Sequence, residues 1–429
     1  MGLGSIHTKL RALLEKGTFA RHVVTLMTGT TIAQAIPLAA APLLTRIFAP
    51  EDFGILALFV AITSIIGSIA TARYELAVML PKSDEDAVNV VVLALAIAVG
   101  MSILLLIAVA LFNHQIATFV GNQEIAPWLY AAPAVVLLLG AFNTLRYFNI
   151  RKENYKAVAS ATAYRAGAGT AVQVLLGSLV LGPAGLLVGH IVSHIVGNTK
   201  LFLNAVRYGR PIAKLRRVDV IEAGRTYIDF PKFSLWAVLA NSLSHNVVHV
   251  FISTVYTVAS LGFYALVKRV LDAPTTLIGR AIGDVFFHRA ADERRRTGTA
   301  VHAFTSTLQV LLVLAIPFYT VLYLVSEPLF AFVFGEEWRI AGTYAKFLVL
   351  LLGLQFVSSP LSIVSAVFEK QRISLLWQLG LLFLTVLVFA ISASLAFAIE
   401  TFLLTYSVTL ATYYLFKLWL SYTISKGLL

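Results

Sequence analysis

Apolar residues run along this chain in long blocks instead of alternating with polar ones. The blocks recur from one end to the other, separated by short clusters of charge, Gly and Pro, with starts near His22, Phe53, Ala87, Ile125, Ala157, Gly185, Ser234, Gly262, Val301, Ala341, Ser374 and Thr401. A helix of about twenty such residues, rising ~1.5 Å per residue, crosses a hydrocarbon core of ~30 Å. The pattern therefore predicts an all-α polytopic membrane protein with about twelve transmembrane helices. The first block runs to Phe48 behind the basic residues Lys9, Arg11, Lys16 and Arg21. It is longer than the apolar centre of a signal peptide, so it reads as a retained span.

Composition sharpens this picture. Of 429 residues, 59% are hydrophobic and 13% charged, whereas soluble domains carry roughly 25% charged residues. The balance is basic, 33 Lys and Arg against 21 Asp and Glu, yet the positive charges sit between the apolar blocks and not on one face for nucleic acid. With a cytoplasmic amino terminus the even-numbered connections hold Lys82, then Arg151, Lys152 and Lys156, then Arg207 to Lys232, then Arg289 to Arg296, then Lys370 and Arg372. The odd-numbered ones hold little beyond Arg46 and Arg339. This asymmetry follows the positive-inside rule and predicts both termini in the cytoplasm. There is no Cys, so thiol chemistry is absent and the redox compartment is unreadable.

The most polar connection predicts a cytoplasmic linker over 207–232 between an N-terminal lobe, 1–206, and a C-terminal lobe, 233–429. Six blocks fall on either side. Phe53-Gly54 with Ala57-Leu58 in the second block is echoed by Leu261-Gly262 with Ala265-Leu266 in the eighth. Two halves of six spans share one orientation, which predicts parallel repeats about an axis along the membrane normal.

The run Arg73-Tyr74-Glu75-Leu76-Ala77-Val78-Met79-Leu80-Pro81-Lys82-Ser83-Asp84-Glu85-Asp86-Ala87 resembles a signature of the polysaccharide and O-antigen flippases. These are members of the multidrug/oligosaccharidyl-lipid/polysaccharide (MATE-like) exporter superfamily. Further segments in the family's order resemble it too: Gly29-Thr30-Thr31-Ile32-Ala33-Gln34, Pro50-Glu51-Asp52-Phe53-Gly54, Phe230-Pro231-Lys232-Phe233-Ser234 and Leu261-Gly262-Phe263-Tyr264-Ala265-Leu266. One departure follows Asn241-Ser242-Leu243-Ser244, where the family pattern expects a Pro and this chain reads His245-Asn246. The resemblance implies two six-helix lobes around a cavity in the bacterial cytoplasmic (inner) membrane. It implies export of an undecaprenyl-diphosphate-linked oligosaccharide by alternating access, with a polysaccharide polymerase and a chain-length regulator as partners and no nucleic acid.

Moving a sugar head group past hydrocarbon requires a polar cavity, because each unsatisfied polar group there costs several kcal/mol. An anionic diphosphate also calls for fixed cations. The candidates for a cationic substrate site are Arg165, Lys268, Arg269, Arg146, Arg280 and Arg73. A charge at mid-span costs about 2.5–3.5 kcal/mol on insertion scales, which marks Arg165 and the Lys268-Arg269 pair as functional. The alternatives are structural pairs: Arg269 with Asp272, Arg73 with Glu75, Arg280 with Asp284. Glu75, Asp272, His245 and His249 are candidates for proton or sodium coupling; no other cofactor is expected. His190 with His194, and His245 with His249, have the i, i+4 spacing that could hold a metal. No acid or Cys accompanies either pair, and helix packing or hydrogen bonding is the reading the residues favour. Trp128, Tyr130, Trp338 and Trp419 read as interfacial anchors.

Two other function classes compete. A cation-coupled multidrug antiporter of the same superfamily usually carries an acid in its first span, and the block from His22 to Phe48 has none. A membrane glycosyltransferase or ligase needs a constellation for acid–base work. The external connections here hold only dispersed Glu124, Glu327, Glu336, Glu337 and Glu400, so the chain is not expected to be an enzyme.

Overall fold

The computed structural model describes residues 19–179, 182–208 and 217–428, which form helices joined by short turns and contain no strand. Twelve of the described helices have at least 18 residues: α1 (Phe19–Ile47), α2 (Pro50–Gly67), α3 (Asp84–Phe119), α4 (Ala132–Arg151), α5 (Tyr155–Leu179), α6 (Ala184–Tyr208), α7 (Leu235–Val255), α8 (Val258–Thr297), α9 (Val301–Phe334), α10 (Arg339–Leu361), α11 (Gln371–Ser394) and α12 (Ile399–Ser425). Each predicted block contributes one of them, although the start at Ile125 precedes its helix.

Where start and helix differ, the first turn explains why. α2 and α3 begin with Pro50-Glu51-Asp52 and Asp84-Glu85-Asp86, acids that favour the positive end of the helix dipole ahead of the apolar block. Ser83 caps α3: its hydroxyl accepts from the Asp86 amide at 3.0 Å and donates to the Asp86 carboxylate at 2.6 Å, a reciprocal arrangement of the capping-box type. The block starting at Ile125 is broken into a turn at Gln123–Ile125 and a short helix Ala126–Leu129 before α4 starts. Pro133 sits in the first turn of α4, where a missing N–H costs nothing.

Nine described helices are long and apolar enough to cross a membrane, and many leucines and phenylalanines on them face outward, Leu111 and Phe332 among them. This is a multi-pass membrane protein. The three long helices outside that group are α5, α8 and α12. They carry Arg165, Lys268 with Asp272, and Lys417, respectively. α8 has 40 residues, about 60 Å of helix and twice a hydrocarbon core. Thr257 accepts from the Ser260 amide at its start, and Gly298, with φ of 78°, closes its end.

Contacts divide the chain into two units. The first holds the described part of Met1–Leu44 with Ile62–His114 and Ala126–Val238; the second holds Thr45–Ala61, Gln115–Ile125 and Leu239–Leu429. In the first unit Phe142, Leu145, Val158, Ala161 and Leu201 form a buried cluster of α4, α5 and α6. α5 and α6 approach closely because Gly189 leaves room for Gln173 and Gly169 for Ser193; small residues of this kind let helices associate where no water drives them together.

The second unit is rich in rings. Phe251 of α7 stacks on Phe389 of α11 at 4.2 Å. Trp338 is 1% exposed, meets Phe53 and Phe263 edge-on, and donates its indole N–H to the Thr45 carbonyl at 3.0 Å. It is a core residue and not the interfacial anchor its place near a span end suggests. Beside it the starts of α2 and α8 touch main chain to main chain. A Cβ on Gly54 would lie 2.0 Å from the Val258 carbonyl, and one on Gly262 only 1.8 Å from that of Pro50. The echoed Phe53-Gly54 and Leu261-Gly262 pairs thus face each other, and only glycine fits at either.

Candidate functional site

Arg165 is presented by α5. Gly197 of α6 has no side chain where the arginine crosses, since a Cβ there would stand 3.3 Å from the arginine's own Cβ. Its guanidinium lies 5.1 Å from the centroid of the Phe142 ring on α4, and Nη2 is 3.0 Å from Nε2 of His194. A guanidinium only donates, so His194 accepts at Nε2 and is a neutral imidazole with its proton on Nδ1. That buried Nδ1 has no partner among the described residues. His190 meets His194 edge-on at 4.8 Å. Among the described residues Arg165 has no carboxylate partner. Asn198 donates to the carbonyls of Leu138 and His194, both at 2.9 Å, and leaves the imidazole to the arginine.

A second polar place lies inside the other unit. A cavity of about 320 Å³ is lined by His245 of α7, Lys268, Asp272 and Thr275 of α8, Gln355, Ser358 and Ser359 of α10 with Ser362 just beyond it, Ser374, Trp377 and Gln378 of α11, and Tyr414 and Lys417 of α12. No described lining residue is aliphatic, although the helices around the cavity are those of a membrane protein. Lys268 pairs with Asp272 at 2.9 Å across one turn of α8. Lys417 is 3% exposed and lies 4.8 Å from the Trp377 ring centroid. Trp377 in turn stacks on Tyr413 at 5.6 Å, and Tyr413 donates its hydroxyl to the Trp377 carbonyl at 2.9 Å. Gly380 makes that stacking possible, because a Cβ there would sit 2.3 Å from the Tyr413 hydroxyl. Gln355 donates to the Tyr414 hydroxyl at 3.2 Å.

The predicted site residues thus separate. Lys268, Asp272 and His245 line one cavity, whereas Arg269, about 100° further round α8, is not among its lining residues. His249 lies edge-on to Tyr264 at 5.5 Å. Arg146 is on the surface of α4, 5.8 Å from the Tyr147 ring. The Arg280 side chain lies outside the described residues. Lys417 and Trp377 were missed: Lys417 is the one charge in the last apolar block before Lys426, and nothing local to either residue shows that the fold brings the two together.

Arg73 and Glu75 belong to neither polar place. The chain turns after α2 with Ala72 and Arg73 at positive φ, 47° and 69°. Arg73 pairs with Glu75 at 2.8 Å and donates to the Ser234 hydroxyl at 3.3 Å, while Thr71 donates to the other carboxylate oxygen of Glu75. Tyr74 donates to the Gly224 carbonyl at 2.8 Å. Arg151 donates to the carbonyl of Ser83 at 3.1 Å and to the Asp84 carboxylate at 3.2 Å, and Lys152 reaches the same carboxylate. The signature run is therefore a clasp that fixes helix Arg217–Thr226 and the π-helical turn Phe230–Ser234 onto α3 and α4. Ala77, Val78, Val90 and Phe148 are buried in it, with Ala223, Tyr227 and Phe230 packed alongside.

The described helices thus hold Arg165 against an imidazole in one unit and a polar cavity in the other. By sequence the chain belongs to the family described as polysaccharide biosynthesis protein, which matches residues 43–342. The succinoglycan biosynthesis transport protein ExoT of Rhizobium meliloti (strain 1021) is 24% identical over 317 residues, 73% of this chain and 62% of its own length; the alignment thus spans less than two thirds of that relative. The fold is similar to lipid II flippase MurJ in an inward closed conformation, with a TM-score of 0.71 and 14% identity over 94% of this chain and 90% of that one. It is also similar to the MATE multidrug transporter DinF-BH, with a TM-score of 0.65 and 12% identity over 94% and 95%. The chain is thus a member of the polysaccharide biosynthesis protein family whose fold is similar to those of a lipid II flippase and a MATE transporter, and the relatives named are transport proteins.

Proposed function

We propose that this protein flips an undecaprenyl-diphosphate-linked oligosaccharide from the cytoplasmic to the outer leaflet of the bacterial inner membrane by alternating access of two six-helix lobes. The observation that carries the reading is Arg165, a cation deep in a span whose partners are a neutral imidazole and a phenyl ring. Its planar fork suits two phosphate oxygens at once, and a bound phosphate would supply the negative charge that its surroundings lack. Membership of a polysaccharide biosynthesis family and the likeness to a lipid II flippase support a glycan cargo. The polar cavity of the second unit offers hydroxyl and amide groups to sugar hydroxyls. In this reading a proton or sodium ion resets the cycle at Asp272, with His245 on the same cavity.

A test is translocation of a fluorescent undecaprenyl-diphosphate oligosaccharide in proteoliposomes. The wild type is expected to move it and a folded Arg165→Ala variant to lose at least ~100-fold of the rate, the scale of a charge-assisted phosphate contact removed from a dry site. A wild type that ignores the lipid but moves an organic cation would replace this reading with that of a drug antiporter.

A further inference from the structure

The cavity of the second unit has a charge balance that says more about the cargo. Lys417, Lys268 and Asp272 are its charged lining groups among the described residues apart from His245. Lys268 and Asp272 neutralise each other at 2.9 Å. Lys417 has only the Trp377 ring as a partner among the described residues. With a neutral imidazole, one net positive charge remains, buried among hydroxyls and amides.

We propose that this cavity is a binding site for an acidic sugar, with the carboxylate of the sugar paired to Lys417 and its hydroxyls met by Ser358, Gln355 and Gln378. The proposal rests on a glycan being the cargo. A single uncompensated ammonium matches a monoanion; a diphosphate, with at least two negative charges, would stay under-neutralised beside Asp272. Burying an ion without a counterion is costly, so a lysine in this place is balanced when an anion occupies it. The ammonium is also held in place: Trp377 is pinned by Tyr413 on one side and carries Lys417 at 4.8 Å, a cation–π contact that attracts the charge without neutralising it. The volume, about 320 Å³, suits one sugar ring and lies at the lower end of the ~300–1,000 Å³ typical of ligand sites. Trp377 and Lys417 lie beyond residue 342, where the family match ends, while His245, Lys268, Asp272 and Thr275 lie within it.

The full-length protein in lipid nanodiscs is titrated calorimetrically with two tetrasaccharides that differ at one group, one ending in glucuronate and its carboxyl-reduced counterpart ending in glucose. Wild type is expected to bind the acid at least about tenfold more tightly, the scale of one hydrogen bond to a charged group. Lys417→Gln should remove that preference while leaving the affinity for the neutral sugar, and Lys417→Arg should keep it. Equal binding of both sugars by the wild type overturns the proposal without any variant. So does a preference that survives Lys417→Gln, or displacement of the acid by inorganic pyrophosphate at lower concentration than by glucuronate, which would assign the site to the diphosphate. Binding is read without transport. A protein that prefers the acid yet flips no lipid-linked glycan keeps this site and loses the flippase reading; one that flips acidic and neutral cargo with equal KM and shows no binding preference does the reverse.

Discussion

Arg165 and Lys417 solve the same problem differently. Each is a cation within a span, where the insertion cost of about 2.5–3.5 kcal/mol must be offset; the first is met by an imidazole and a phenyl ring, the second by an indole. Replacing His194 with Phe removes the acceptor of the Arg165 contact and leaves its charge, so phosphate binding is expected to persist with a higher KM and little change in maximal rate. A loss of maximal rate with unchanged KM would show that His194 acts in the transport step. Arg165 was legible in the sequence because a lone charge about two turns into an apolar block has few explanations. Lys417 was not, because the sequence does not show that an indole from another helix covers it. Trp338 was misleading for a related reason: position near a span end says nothing about which way an indole faces.

At the scale of elements, the conspicuous signature serves architecture. In the Arg73–Glu75 pair the carboxylate is 2% exposed, and Arg73→Ala leaves it uncompensated at a cost of ~3 kcal/mol, the lower end for buried pairs because the arginine keeps some water. Thermal unfolding in detergent should show a large fall in Tm for Arg73→Ala and partial recovery in Arg73→Ala/Glu75→Gln, and no recovery would remove the pair from the account. The glycines give a sign test. Gly→Ala within a helix usually stabilises by about 0.5–1 kcal/mol, and Gly100 of α3, with nothing within 4 Å of its added Cβ, should follow that rule. Gly54→Ala and Gly262→Ala are expected to destabilise instead, by about 1–3 kcal/mol each. The boundaries of the twelve helices were readable from block length and acidic first turns. The contacts of the signature were not, since Tyr74 and Gly224, or Arg73 and Ser234, are joined by tertiary structure across some 150 residues of chain.

For the whole molecule, the charge asymmetry of the connections makes a topological prediction. Green fluorescent protein fused after Leu429 should fluoresce and alkaline phosphatase there should be inactive, while phosphatase inserted at Asn122, in the turn after α3, should be active; the opposite pattern would invert the orientation. The echoed Phe53-Gly54 and Leu261-Gly262 pairs meet in the fold, where Gly54 and Gly262 set main chain against main chain. At this joint the closest approach is backbone on backbone, with the Val258 side chain beside Gly54 and the rings of Phe53, Phe263 and Trp338 packed next to it. Spin labels on α2 and α8 beside it should therefore report one narrow distance in the wild type and a longer one in Gly54→Ala. Whatever cargo the protein carries, the two helix starts are held at a spacing that a single added methyl group cannot share.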